Sequence, residues 1–407
     1  MAAAGSPTAQ SPEHPVFAAP AKRGTCPFDP PPAYEQARRE HPVARVSLWD
    51  GTSSWLLTRH EDVRFVLRDR RFSADASRPG FPFLSAVRKV LNTDRRSFIR
   101  MDDPDHRRLR RLLTADFMIR KVESLRPQIQ QLADDLLDRM TEGRRHADLV
   151  ADFALPLPSV VICLLLGVPY SRHAFFQERS RVMLYTGSTP AEVEAAQSEL
   201  IGYLTELTRE KRTSPDDGIL SRLAHEGLLS DEDIASTGRL LLVAGHETTA
   251  NMTSLSVLAL LRNPDQMARL RTADHEQIRG AVEELLRYLS IVQGGVARVA
   301  TEDVVVGDTV IGAGEGVLCM LSAANRDEDA FPGGDGLDIG RDARRHLAFG
   351  FGVHQCLGQP LARLELQIAL ATVLRRLPGL RLDVPFEDVR FRHDMVVYGV
   401  HALPVAW

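Results

Sequence analysis

The chain is poor in cysteine, with four among 407 residues, at positions 26, 163, 319 and 356. So scattered a set makes no disulfide framework, and no Cys-x-x-Cys pair suggests a zinc ribbon. A reducing cytoplasm is the expected compartment. Charge of one sign is also missing: 50 Lys plus Arg face 54 Asp plus Glu, leaving a formal charge of −4. That balance argues against a nucleic-acid binder whose affinity rests on a wholly basic surface. Long apolar runs are absent too. The most apolar stretch, Val160 to Val168, is fenced by Pro156, Pro158 and Pro169. It falls short of the ~18 to 20 residues that a bilayer span needs, so no membrane is expected. No internal repeat is visible, which argues against a solenoid.

What is present is a sizeable core, since 44% of the residues are hydrophobic and 26% charged. Residues 1–25 are rich in Ala, Pro and Ser, lack the charged and apolar regions of a signal peptide, and read as a disordered leader. Val43 to Trp49 and Ser54 to Thr58 flank an Asp50-Gly51 turn signal and predict a β-hairpin. Beyond Pro104 helical periodicity dominates, with Ile129, Leu132, Leu136 and Leu137 on one face of a predicted helix. Short strands are expected at Val304–Val306, Thr309–Ile311 and Val396–Tyr398. The fold class is therefore mainly α with small β-sheets.

The longest predicted helix starts at a Ser230 cap with Asp233 in the capping position and ends at Asn263-Pro264. In its middle sits Ala244-Gly245-His246-Glu247-Thr248-Thr249. A carboxylate and two hydroxyls among apolar neighbours face burial costs. A solvent-facing rim, or threonine bonding back to a carbonyl, would explain them without chemistry. His246-Glu247 starts like a zinc-protease motif, but position 250 is Ala. A zinc site from His346, His354 and Cys356 matches no recurrent spacing.

The decisive segment is Phe349 to Gly358, FGFGVHQCLG. Its cysteine lies just before a helix opening at Gln359-Pro360, where the dipole and unpaired N–H groups favour a thiolate. Glycines on both sides allow a flat, bulky ligand to approach the backbone.

This segment resembles the haem-ligand loop of the cytochrome P-450 superfamily, with Cys356 in the axial position. Glu284 to Arg287 resembles its Glu-x-x-Arg motif, and Ala244 to Thr249 its oxygen-activation sequence. Ala324 to Arg341 resembles its meander. The resemblance runs from about Cys26 to Trp407, implying one domain over 26–407 in the P-450 fold: a long central helix over the haem, and a cysteine loop before a proximal helix. It implies a haem b held by Cys356, with the amides of Leu357 and Gly358 at the sulfur and Phe349 and Ala244 beside the macrocycle. His106, Arg110, Arg298 and His354 would meet the propionates. Glu284, Arg287 and Arg341 would be structural. Glu247 and Thr248 would handle protons for O2 activation, with Gly245 making room for oxygen.

By family position, Phe81, Val243, Ile291, Val292 and Val397 are expected in a roomy apolar substrate pocket. The implied activity is hydroxylation or epoxidation of a medium-to-large hydrophobic molecule, of polyketide, macrolide or xenobiotic type. No reductase is fused, so NAD(P)H would act through a separate ferredoxin reductase and ferredoxin. Arg107, Arg108 and Arg111 read first as a solvated basic face, which could also help receive the ferredoxin. A monomer is the family default. Nitric-oxide-reductase-like and peroxide-using members are the alternatives, and the Glu247-Thr248 pair disfavours them.

Overall fold

The computed structural model describes residues 23–92 and 96–407. The expected leader therefore lies almost wholly outside the described residues. Among these, no helix is long and apolar enough to cross a membrane.

A 31-residue helix, Asp231–Leu261, runs through the middle of the molecule. Its start is fixed locally: the Ser230 hydroxyl accepts the Asp233 amide at 3.1 Å. Such a cap stabilises by about 1 kcal/mol. Beyond its midpoint every residue from Thr249 to Leu260 is buried. A helix apolar all round belongs in a core, and this one packs against the helices Pro156–Leu166, Pro190–Thr213 and Gln359–Arg376. Gly245 is needed for that packing, because a Cβ there would sit 2.8 Å from Cγ1 of Ile162. The helix stays regular through Gly245, which was expected to make room for oxygen. The glycine also lines the cavity described below, but its missing side chain is what lets two helices touch.

The predicted hairpin forms between Val43–Ser47 and Ser53–Leu57, with Gly51 at φ 80° in the turn. Ser53–Leu57 then pairs in parallel with Gly316–Cys319, which pairs antiparallel with Val296–Ala300. Phe72–Ser73 completes a five-stranded sheet. Val304–Val306 and Thr309–Ile311 make a separate hairpin. The expected strand at Val396–Tyr398 does not form; only Val397 bridges to Val292, within an irregular loop. The helix Gln359–Arg376 is buried on nearly every side from Leu364 to Leu370.

Candidate active site

The central helix and the Cys356 loop face each other across a largely apolar cavity of about 400 Å³. Cys356 is surrounded by protein, and its exposed surface opens onto this cavity. Burial pushes its thiol pKa up, opposed by the amides of Gly358 and Gln359 and by the charges of Arg110 and Arg363. Gly358 was expected beside the sulfur. Its amide is there, joined by that of Gln359, while Leu357, the other residue expected there, lines the cavity. Phe349 forms part of the same wall, with the Arg363 guanidinium 4.6 Å from its ring centre.

Opposite the cysteine stand Ala244, Thr248 and Thr249. Thr248 Oγ1 donates to the Ala244 carbonyl at 2.7 Å, the local back-bond that a mid-helix threonine favours. Glu247 is not on the cavity wall. Its Oε2 accepts from Arg392 Nη1 at 3.0 Å and from Asn251 Nδ2 at 3.3 Å, on the side towards the carboxy-terminal loop. Thr249 bonds to Glu365, whose carboxyl pKa burial raises to about 8.

At one end of the cavity, basic groups gather. His354 is ringed by Arg298, His106, Arg110 and Arg100, and burial followed by these charges lowers its pKa to about 2. The His106 and His354 rings lie 4.1 Å apart. Nε2 of His106 and Nδ1 of His354 are buried with no hydrogen-bond partner among the described residues. Arg110 Nη2 reaches the Gln355 carbonyl at 2.6 Å, and Arg298 Nη1 the Ala297 carbonyl at 2.8 Å.

Ile291 and Val292 line the cavity as expected of pocket residues; Phe81, Val243 and Val397 do not. Phe81 packs on Phe83 instead, 5.3 Å between ring centres. Val243 precedes Ala244 by one residue, about 100° around the helix, and so faces elsewhere. Val397 is buried on its bridge to Val292.

Behind the cysteine loop, Arg287 Nε and Nη2 clamp the Glu284 carboxylate at 2.7 and 2.8 Å, both side chains fully buried. Arg287 also donates to the carbonyls of Asn325, Gly334 and Gly336. Arg341 Nε reaches Glu284 Oε1 at 3.3 Å. A second clamp was not foreseen. Glu283 accepts a bidentate bond from Arg363 at 2.7 and 2.9 Å and pairs with His346 at 3.1 Å. Burial alone would raise the Glu283 pKa, but these partners bring it down to about 2. A folded-state pKa below the ordinary 4.5 stabilises above pH 4.5, and that contribution fades as pH falls towards 2. The stability difference between the native protein and Glu283→Gln should therefore shrink on acidification, as followed by thermal unfolding across pH.

The cytochrome P450 family model matches residues 29–378. The chain is a cytochrome P450. Cytochrome P450-SU2 of Streptomyces griseolus is 68% identical over 383 residues, covering 94% of each chain. The 20-oxo-5-O-mycaminosyltylactone 23-monooxygenase of Streptomyces fradiae is 44% identical, covering 94% of this chain and 91% of its own. The solved structure of GfsF matches with a TM-score of 0.90 at 47% identity, over 97% of this chain and 100% of that one.

As a P450 monooxygenase the chain takes a haem, dioxygen, a hydrophobic substrate and electrons from redox partners. Monooxygenation, not the nitric-oxide-reductase-like or peroxide-using alternative, is the supported activity. The cavity suits the cofactor on its own evidence. Unpartnered imidazole nitrogens and guanidiniums gather at one end, as two carboxylates would require, and a cysteine lies below an apolar slot. Arg100 belongs to this P450's basic cluster and was missed from sequence. Burial, with the charges of Arg298 and Arg88, lowers its pKa to about 9. An arginine two residues past Phe98 carries no motif, so only the assembled cavity reveals it.

Proposed function

We propose that Cys356 is the axial thiolate of a haem b and that this P450 inserts one oxygen atom of O2 into a medium-to-large hydrophobic substrate. The observation that carries this reading is Cys356 facing Ala244 and Thr248 across one apolar cavity with a basic end. His106, Arg110, Arg298, His354 and Arg100 would hold the propionates. Phe349 covers the sulfur side, and the amides at Gly358 and Gln359 temper its donor strength. When bound, a thiolate-ligated haem supplies the redox chemistry that cleaves dioxygen.

The protein's own task is to bind, orient and deliver protons. Thr248 has its hydroxyl at the cavity wall, where it can turn from the Ala244 carbonyl to hold a proton donor. Glu247 stands behind it, tied to Arg392 on the outer side, as suits the residue that draws protons from solvent. The apolar wall excludes water that would otherwise divert the oxidant.

Resemblance to the tylactone monooxygenase supports a substrate of polyketide, macrolide or xenobiotic type. NAD(P)H would supply electrons through a ferredoxin reductase and a ferredoxin, to a cytoplasmic monomer with one domain over 26–407. Thr248→Ala tests the proton role. Product formed per NAD(P)H consumed should drop roughly 10-fold to 100-fold, with peroxide released instead. Unchanged coupling would remove Thr248 from the relay.

A further inference from the structure

The cavity wall holds four guanidiniums, those of Arg88, Arg100, Arg110 and Arg298. Three of them surround His354 at the basic end. Arg88 comes from a different element, the helix Ala86–Asn92, and although its charge reaches Arg100, it contacts another segment of the wall. Its Nη2 approaches the Gln293 carbonyl at 3.5 Å and lies close to Gly294, beside the wall residues Ile291 and Val292. At that length the contact is a weak hydrogen bond. No carboxylate pairs with Arg88 among the described residues, and the residue lines the cavity.

Charge matching sharpens the point. A haem brings two propionates, and Arg110, Arg298 and Arg100 with the two imidazoles already match them. Arg88 is left over, a cation on a largely apolar wall. Enclosing a guanidinium without a carboxylate partner is unfavourable unless a counter-charge arrives. Burial depresses the Arg88 pKa to about 10, the direction expected of a cation short of partners. An apolar side chain on this wall would carry no such cost. The fork of N–H donors is the geometry that grips a carboxylate in two parallel bonds.

We infer that Arg88 is an anion subsite of the substrate chamber, and that the natural substrate is a hydrophobic molecule carrying a carboxylate or similar anionic group. The inference rests on the proposed haem-thiolate reading. In it the apolar body lies towards Thr248 and Ala244, while the acidic end is anchored between the helix Ala86–Asn92 and the Ile291–Val296 loop. Substrate orientation, and so the carbon oxidised, is then set by the distance from that anchor.

The test uses the purified haem-loaded enzyme and three probes: dodecanoic acid, its methyl ester and 1-dodecanol, each titrated by the spin-state change of the absorption spectrum. The acid should bind at least tenfold more tightly than either neutral probe, as a charge-assisted bond in a dry site predicts. Arg88→Met should weaken the acid about tenfold, leave the ester within about twofold, and leave the reduced carbon-monoxide spectrum intact. Arg88→Lys should restore part of the preference. Equal binding of acid and ester by the native enzyme would overturn the subsite. So would loss of haem in Arg88→Met, which would assign Arg88 to the propionates. Absence of a thiolate-type spectrum in the native enzyme would overturn the parent reading instead, so the two failures are separable.

Discussion

Cys356→His is expected to abolish the thiolate-type absorption of the reduced carbon-monoxide complex and to take monooxygenase turnover below detection. Imidazole can still bind iron, so the variant can be loaded with haem and compared at equal cofactor content. What it loses is the anionic donor that favours O–O cleavage. The loop offers the replacement no compensation. The amides of Gly358 and Gln359 are aimed at a thiolate, and Arg110 and Arg363 add positive charge that suits an anion. A neutral ring would face those donors without accepting from them. A thiolate-type spectrum persisting in Cys356→His would sink the ligand assignment, since no other cysteine lines the cavity.

The second large effect is expected behind the site. Removing one partner of a buried ion pair leaves an uncompensated charge, at a cost of about 3 to 5 kcal/mol. In Arg287→Leu, the Glu284 carboxylate keeps only the Asp338 amide at 2.9 Å and Arg341 at 3.3 Å. The carbonyls of Asn325, Gly334 and Gly336 lose their donor as well. The variant should unfold at a markedly lower temperature and retain little haem. Arg287→Lys keeps the charge but not the fork, and should fall between the two. As a control, Glu276→Gln breaks the exposed Arg279 pair, which is worth about 0 to 1 kcal/mol. If Arg287→Leu proved as mild as that control, the clamp would have no structural role.

The features legible in the sequence are the ones written locally. Ser230 and Asp233 lie three residues apart, as do Glu284 and Arg287, and the cysteine loop is one unbroken run. Local spacing therefore marked the central helix, the clamp and the cysteine. The missed features depend on residues far apart in the chain. Arg363 reaches Glu283 across 80 positions, and Arg392 reaches Glu247 across 145. Neither arginine differs, as a sequence, from one on a solvated face. Arg88 and Arg100 were invisible for the same reason. Phe81, Val243 and Val397 failed for a finer one. The correct segments were chosen, but one residue along a helix or an irregular loop decides whether a side chain meets the cavity or the core.

The five-stranded sheet also sets the order in which this enzyme can be made. Ser53–Leu57 lies beside Gly316–Cys319, so its outer edge has no partner until most of the chain has left the ribosome. At ~5 to 20 residues per second, that wait lasts roughly ten seconds to one minute. Throughout it an apolar hairpin presents an unpaired edge, the kind of surface that chaperones cover and aggregates exploit. Cys356 emerges later still. Cofactor loading thus cannot begin before the closing stage of synthesis, and a shortage of haem would strand finished or nearly finished chains, not early fragments.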